Sequence, residues 1–139
     1  MTSRYRYLLD TNILSDLVKN PGGLIAIRIK EVGEESICTS IVVASELRYG
    51  AIKSGSKKIA NRVDLILSAL EILPLDSPVE QHYATIRHHL TRNGKPIGPN
   101  DLLIAAHATS EGLTVVTANI SEFSRVPGLA TENWLDSRR

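Results

Sequence analysis

Short apolar runs alternate along this chain with longer stretches in which apolar side chains recur at helical spacing. The short runs predict four strands. They are Tyr5–Leu9, Ser36–Ser40, Glu71–Leu75 and Leu113–Ala118. A fifth, weaker segment over Val126–Trp134 predicts an edge strand, and a loose tip follows at Asp136–Arg139.

The stretches with helical spacing predict six helices between these strands. The first helix ends at Asn20–Gly23, the second spans Leu24–Val32, and the third begins after its cap, Ser40. The fourth spans Lys57–Leu70, the fifth begins with a capping box at Ser77–Glu80, and the sixth spans Asp101–Gly112. Strands that alternate with helices predict an α/β fold, a small parallel sheet of about four to five short strands flanked by helices.

Length and composition fit one folded domain over residues 1–139. Hydrophobic residues make up 42% of the chain, which excludes a disordered protein. The formal net charge is only +1, so bulk positive charge does not drive nucleic-acid binding, and such binding requires a local patch. Cys38 is the only cysteine, which excludes a disulfide framework and a cysteine metal site.

The sequence contains no stretch that predicts a membrane span. No apolar run approaches the roughly 20 residues that a spanning helix needs. The run after Arg6 is too short for a signal peptide, and Asp10 interrupts it. These features predict a cytoplasmic protein.

Three acidic residues occupy positions where a carboxylate is unexpected. Asp10 directly follows the first strand, Glu46 shares a helix face with core residues, and Asp101 opens an apolar helix. Ligands of parallel sheets bind outside the carboxyl ends of the strands, so these acids can converge on one pocket. Without a cation they repel one another, and Mg²⁺ relieves this repulsion because it prefers oxygen ligands.

Each acid also has a simpler interpretation. Asp10 can cap the next helix, and Asp101 can face the positive end of its own helix. Glu46 fits neither role, because a glutamate on the inward face of a helix needs a partner. The joint pattern therefore favours a metal site, while capping stays open for Asp10 and Asp101.

Four motifs in the same order resemble a PIN domain. They are "LLDTN", "SELRYG", "GPNDLLIAAHA" and "VVTANISEFSRVPGL", and together they extend over almost the whole chain. The last two are similar to the VapC-type toxins of bacterial toxin–antitoxin pairs. The resemblance implies a toxin that acts as a Mg²⁺-dependent endoribonuclease, with Mn²⁺ as a substitute. It also implies a homodimer and a hetero-oligomer with a DNA-binding, VapB-like antitoxin.

The resemblance also implies which residues do the chemistry. Asp10, Glu46 and Asp101 match the first three acidic positions and are expected to hold metal that activates water for attack on RNA. The fourth position is open: Asn119 stands where many PIN domains have Asp, and Glu122 follows three residues later. Thr11 and Thr117 match positions that support the acids by hydrogen bonds from their hydroxyl groups.

Basic residues near the third helix predict an RNA-binding patch. They are Arg48, Lys53, Lys57 and Lys58, although a solvated surface explains each of them equally well. A non-catalytic PIN-like scaffold that binds RNA or protein is the alternative function, and the retained acids argue against it. "GAIKSGSK" lacks the lysine of a phosphate-binding loop, so nucleotide binding is not expected.

An antitoxin is expected to cover the site by two elements. An amphipathic partner helix would lie in an apolar groove lined partly by Ile13, Leu17 or Ile25. A basic side chain of the partner, most plausibly Arg, would enter the acidic pocket and compete with metal.

Overall fold

Five parallel strands form one sheet in the computed structural model, which describes residues 4–136. The strands are β1 (Tyr7–Leu9), β2 (Ile37–Ser40), β3 (Glu71–Leu73), β4 (Thr114–Val116) and β5 (Thr131–Glu132). Their order across the sheet is β3-β2-β1-β4-β5, and every pairing is parallel. The chain therefore moves outward from β1 to β3 and returns to the other side of β1, which makes the β1–β4 boundary the switch point where parallel sheets bind ligands.

Seven helices connect the strands within the described part of the chain. They are α1 (Thr11–Lys19), α2 (Leu24–Val32), α3 (Ile41–Ser54), α4 (Lys57–Ala69), α5 (Val79–Arg92), α6 (Pro99–Glu111) and the single turn α7 (Ile120–Phe123). A 3-10 turn at Glu34–Ser36 leads into β2. In this same described part, no helix is long and apolar enough to cross a membrane.

The core lies between the sheet and the helices that cover it. Leu8 and Leu9 of β1 are fully buried, as the strand at the centre of a parallel sheet requires. Helix α6 is exposed at its first residues and buried along its middle turns, where Ile104 and Ala105 have no exposed surface.

The predicted fold class is confirmed, and most element boundaries agree within a few residues. The first strand is shorter than expected, since pairing with β2 and β4 begins only at Tyr7. Ser40 does cap α3, because its Oγ accepts from the Val42 N–H at 3.1 Å. The predicted edge strand is β5. Of the predicted loose tip, residues 137–139 lie outside the described residues.

The capping box expected at Ser77–Glu80 is wrong in one respect. Helix α5 begins at Val79 with Pro78 as the residue before it, and no side chain caps its first turn. Ser77 Oγ instead donates to Glu80 Oε2 at 2.9 Å. The Val79 N–H has a backbone partner, the Asp76 carbonyl at 3.0 Å.

Candidate active site

Asp10 lies at the end of β1, at the switch point of the sheet. Only 3% of its surface is exposed. Oδ1 accepts from the Thr11 N–H at 2.8 Å, so Asp10 is the N-cap of α1. Oδ2 accepts from Thr117 Oγ1 at 2.8 Å and from Asn12 Nδ2 at 3.3 Å. Capping uses one carboxylate oxygen only, so the capping and site interpretations of Asp10 are compatible.

Glu46 reaches the same region from the second turn of α3. Its Oε1 accepts from Thr11 Oγ1 at 2.5 Å, and its Oε2 accepts from Asn100 Nδ2 at 3.0 Å. The half-buried carboxylate is therefore tied both to the start of α1 and to the start of α6. These contacts explain how a glutamate is accommodated beside the core.

Asp101 and Glu122 meet at the first turn of α6. A Cβ atom placed on Gly98 would lie 3.9 Å from Asp101 Oδ2 and 3.6 Å from Glu122 Oε1, so both carboxylates converge on this glycine. Glu122 Oε1 accepts from the Gly98 N–H at 2.7 Å. Glu122 Oε2 accepts from Asn119 Nδ2 at 2.6 Å. The carboxylate beside Asp101 is therefore that of Glu122, and the Asn119 amide orients it.

The acids of this cluster have shifted pKa values, because they are partly buried and lie close to one another. Burial raises the pKa of Asp101 to about 7, and the charges of Asp10, Glu122 and Glu46 add to that rise. Burial also raises the pKa of Asp10, against the hydrogen bonds from Thr117 and Thr11. The Gly98 N–H lowers the pKa of Glu122, with further help from Asn119. A cluster that resists full ionisation at neutral pH gains most from a bound cation.

The donors fit a hard divalent cation held by few protein ligands. Across residues 4–136, no three Asp, Glu, His or Cys side chains form a ready-made metal cage. Mg²⁺ does not require one, because it is usually held by one or two carboxylates together with waters and substrate phosphates. The raised pKa of Asp101 beside other carboxylates is the observation that fits such an ion.

Three groups at the site were missed by sequence analysis. Asn12 holds Asp10, and its Oδ1 also accepts from the Ala118 N–H at 2.9 Å, which ties α1 to the end of β4. Asn100 holds Glu46, and the Gly98 backbone holds Glu122. A signal was present, since Asn12 lies in "LLDTN" and both Gly98 and Asn100 lie in "GPND".

The predicted RNA-binding residues are exposed on the surface of α3 and at the start of α4. Arg48 Nη1 is 2.7 Å from Asp64 Oδ1, so an acidic neighbour balances its charge. Lys53, Lys57 and Lys58 are exposed around the α3–α4 connection. Their RNA-binding role stays a prediction.

An apolar groove does lie along α1 and α4, but not on all the residues expected. Ile13 and Ile25 are wrong as groove residues, because both are fully buried in the core. Leu17 lines a surface cavity of about 360 Å³ together with Pro21, Leu65 and Ile66. We call this cavity the α1–α4 groove. The helical pattern identified an inward face but not which of its residues neighbouring helices would cover.

The raised pKa of Asp101 predicts how the metal-free protein responds to pH. The folded state keeps this proton where the unfolded chain has lost it, so the resulting stabilisation is complete below the unfolded pKa and is lost as pH rises through about 7. In chelator, we expect the melting temperature to fall between about pH 4 and about pH 7, and Asp101→Asn to reduce that fall. Thermal melts of both proteins test this, with the exposed Glu34→Gln as control. Equal pH dependence in wild type and Asp101→Asn would contradict it.

Comparison with known proteins places the chain in a family. The PIN domain family matches residues 7–129. The chain is 38% identical over 130 residues to the tRNA(fMet)-specific endonuclease VapC of Shigella flexneri, covering 93% of this chain and 98% of that protein. It is 42% identical over 132 residues to Ribonuclease VapC2 of Haemophilus influenzae, covering 94% and 98%.

Solved structures give the same result. The crystal structure of VapBC2 from Rickettsia felis, bound to a DNA fragment from its promoter, superposes with a TM-score of 0.86 at 37% identity. The match covers 92% of this chain and 98% of that one. The chain therefore belongs to the PIN domain family, and within that family it is a VapC-type protein.

Proposed function

We propose that this chain is the endoribonuclease toxin of a toxin–antitoxin pair, and that its acidic pocket holds Mg²⁺ during RNA hydrolysis. The carrying observation is geometric. Asp101 and Glu122 converge on Gly98, and Thr11 holds Glu46 at the start of α1, which Asp10 caps. The near-full-length similarity to proteins named ribonuclease VapC supports the same activity.

The residues have separate roles in this proposal. Asp10 and Asp101 hold the ion, and Thr117 and Asn12 keep the Asp10 carboxylate in place by donating to its Oδ2. Glu46, held by Thr11 and Asn100, orients the attacking water. When bound, Mg²⁺ supplies positive charge that lowers the pKa of water and neutralises the phosphoryl oxygens. Mn²⁺ substitutes because it accepts the same oxygen donors.

The proposed substrate is transfer RNA, with the initiator tRNA as the first candidate. Relatives from Shigella flexneri and Salmonella typhimurium, 38% and 39% identical, are named tRNA(fMet)-specific endonucleases. Because water attacks rather than the ribose 2′-hydroxyl, the products carry 5′-phosphate and 3′-hydroxyl ends.

The direct test is incubation of purified initiator and elongator tRNA transcripts with the protein in Mg²⁺, in Mn²⁺ and in EDTA. We expect cleavage of the initiator transcript in both metals and none in EDTA, with end-group mapping to identify the products. Binding of RNA without cleavage at any metal concentration would instead support the non-catalytic scaffold.

The family to which this chain belongs also indicates its binding partners. Solved relatives are toxin–antitoxin complexes, several of them bound to DNA. This chain accordingly pairs with a DNA-binding antitoxin of the VapB kind, and we propose that the toxin itself forms a homodimer within the complex. Light scattering of the toxin alone and of the complex measures both states.

Glu122 and Asn119 are expected to differ in their effect on cleavage. Glu122→Gln removes a carboxylate that lies beside Asp101, whereas Asn119→Ala removes one of the two groups that orient it. We therefore expect cleavage to fall by about 100-fold in Glu122→Gln and by about tenfold in Asn119→Ala. Initial rates on one tRNA transcript check this, and a larger loss in Asn119→Ala would assign the fourth position to Asn119.

A further inference from the structure

A basic cavity of about 740 Å³ lies beside the acidic pocket, between the end of α5, the loop that precedes α6, and α7. Its polar lining comes from both sides of that space: His89, Asn93, Lys95, Ser121, Ser124 and Arg125. Within the part of the chain that the structure describes, no acidic side chain lines it. We call it the α5–α7 cavity.

The cavity carries a concentrated positive charge in a chain that is nearly neutral overall. Lys95 and Arg125 supply two fixed charges at exposed positions, while the whole chain carries a formal net charge of only +1. An adjoining cavity of about 350 Å³ shares Leu90 and Pro96 with it and adds Arg87. Positive charge therefore extends along this side of the protein.

Two contacts connect the α5–α7 cavity with the acidic pocket. Arg125 Nη1 donates to the Pro96 carbonyl at 2.9 Å, which fixes the loop between α5 and α6. Two residues further along that loop, the Gly98 N–H donates to Glu122 Oε1. Glu122 itself lies on α7 between Ser121 and Ser124, which line the cavity. The loop and α7 thus have one side facing the acids and another facing the cations.

We propose that the α5–α7 cavity binds a phosphate of the RNA strand next to the one that is cut. This inference rests on the proposed ribonuclease function and adds the path of the substrate. A pocket of carboxylates repels RNA, so a cationic site beside it supplies the attraction that positions the strand. At α1 and α4, by contrast, the surface presents the apolar α1–α4 groove, and Asp64 balances Arg48.

The test compares two pairs of cations that carry the same charge. One variant combines Lys95→Ala with Arg125→Ala, and the matched control combines Arg6→Ala with Lys30→Ala, two exposed cations that lie before β1 and on α2. The dissociation constant for initiator tRNA is measured by fluorescence anisotropy in EDTA across a salt series. For the cavity variant we expect it to rise about 30-fold near 0.1 M salt, with a shallower salt dependence, and for the control to change less than about threefold.

Further variants separate binding from folding. Arg125 also holds the Pro96 carbonyl, so Lys95→Ala alone is measured too, with about a fivefold rise expected. Lys95→Arg is expected to restore affinity because it keeps the charge. In Mg²⁺, Lys95→Ala is expected to raise KM and to leave kcat unchanged, since Lys95 positions the strand and does not touch the reacting atoms. Arg125→Ala is not used for this comparison, because Arg125 also holds the loop that positions Glu122.

The outcomes distinguish this inference from the function on which it rests. If the wild type neither binds nor cleaves RNA, the proposed function fails. If the wild type cleaves but both cavity variants bind tRNA as tightly as it does, only the cavity proposal fails. Equal losses in the cavity variant and the matched control, or a loss of antitoxin affinity in place of RNA affinity, would also overturn it.

Discussion

Asp10→Asn is expected to lower RNA cleavage by about a thousandfold or more while the protein stays folded. The substitution removes a negative charge from the most deeply buried acid of the site, where it is positioned by Thr11, Asn12 and Thr117. Asparagine has nearly the same shape, and its carbonyl oxygen still accepts from the Thr11 N–H. Capping of α1 is thereby kept and the charge that holds a cation is lost.

The measurement combines single-turnover cleavage of initiator tRNA with thermal melts. Asp16→Asn is the matched control, since it makes the same change on α1 at a carboxylate that accepts from Asn20 Nδ2 at 3.1 Å. The control is expected to cleave at the wild-type rate. Asp10→Asn is expected to melt in chelator at or above the wild-type temperature, because it removes repulsion toward Asp101. Wild-type cleavage by Asp10→Asn would remove Asp10 from the site.

The acids were accessible to sequence analysis because each breaks a local rule. An apolar strand that ends in Asp10, and an inward helix face that carries Glu46, both require a polar partner nearby. The switch point of the sheet then explains why residues from β1, α3 and α6 meet. The confirmed α/β fold follows from the same alternation of short apolar runs and helical stretches.

What the sequence could not determine depends on side-chain contacts between distant elements. Spacing along "NISEF" does not say that Asn119 donates to Glu122, because that contact needs the single turn of α7. The pairing of Arg48 with Asp64 depends on how α3 packs against α4. The sequence also did not predict the α5–α7 cavity, because its cations come from separate segments that contain no run of basic residues.

Leu65→Asp is expected to lower affinity for the antitoxin by about 30-fold or more and to leave RNA cleavage unchanged. Leu65 is 72% exposed on α4, so its present side chain contributes little to the core. It lines the α1–α4 groove with Leu17 and Pro21. A large apolar side chain left in water beside an apolar groove is typical of a protein interface, and a charge there opposes burial by a partner helix.

The groove leads toward the acids, which is why we place the antitoxin there. A second cavity of about 340 Å³ shares Val18 with the groove and continues to Thr11 and Glu46. A partner helix in the groove can therefore send a neighbouring basic side chain along the second cavity to the carboxylates. Arginine suits this role because its planar guanidinium binds carboxylates with two hydrogen bonds.

Calorimetry of the toxin with its cognate antitoxin measures both the groove contact and the basic side chain. Leu75→Asp is the control for Leu65→Asp, since Leu75 is 37% exposed and lines a separate cavity near α5. If an arginine enters the pocket, Asp10→Asn also weakens binding and excess Mg²⁺ weakens inhibition, because ion and arginine compete for the same carboxylates. Affinity that is unchanged in Asp10→Asn, with inhibition independent of Mg²⁺, would leave steric cover by the partner helix as the mechanism. Unchanged affinity in Leu65→Asp would move the antitoxin away from the α1–α4 groove altogether.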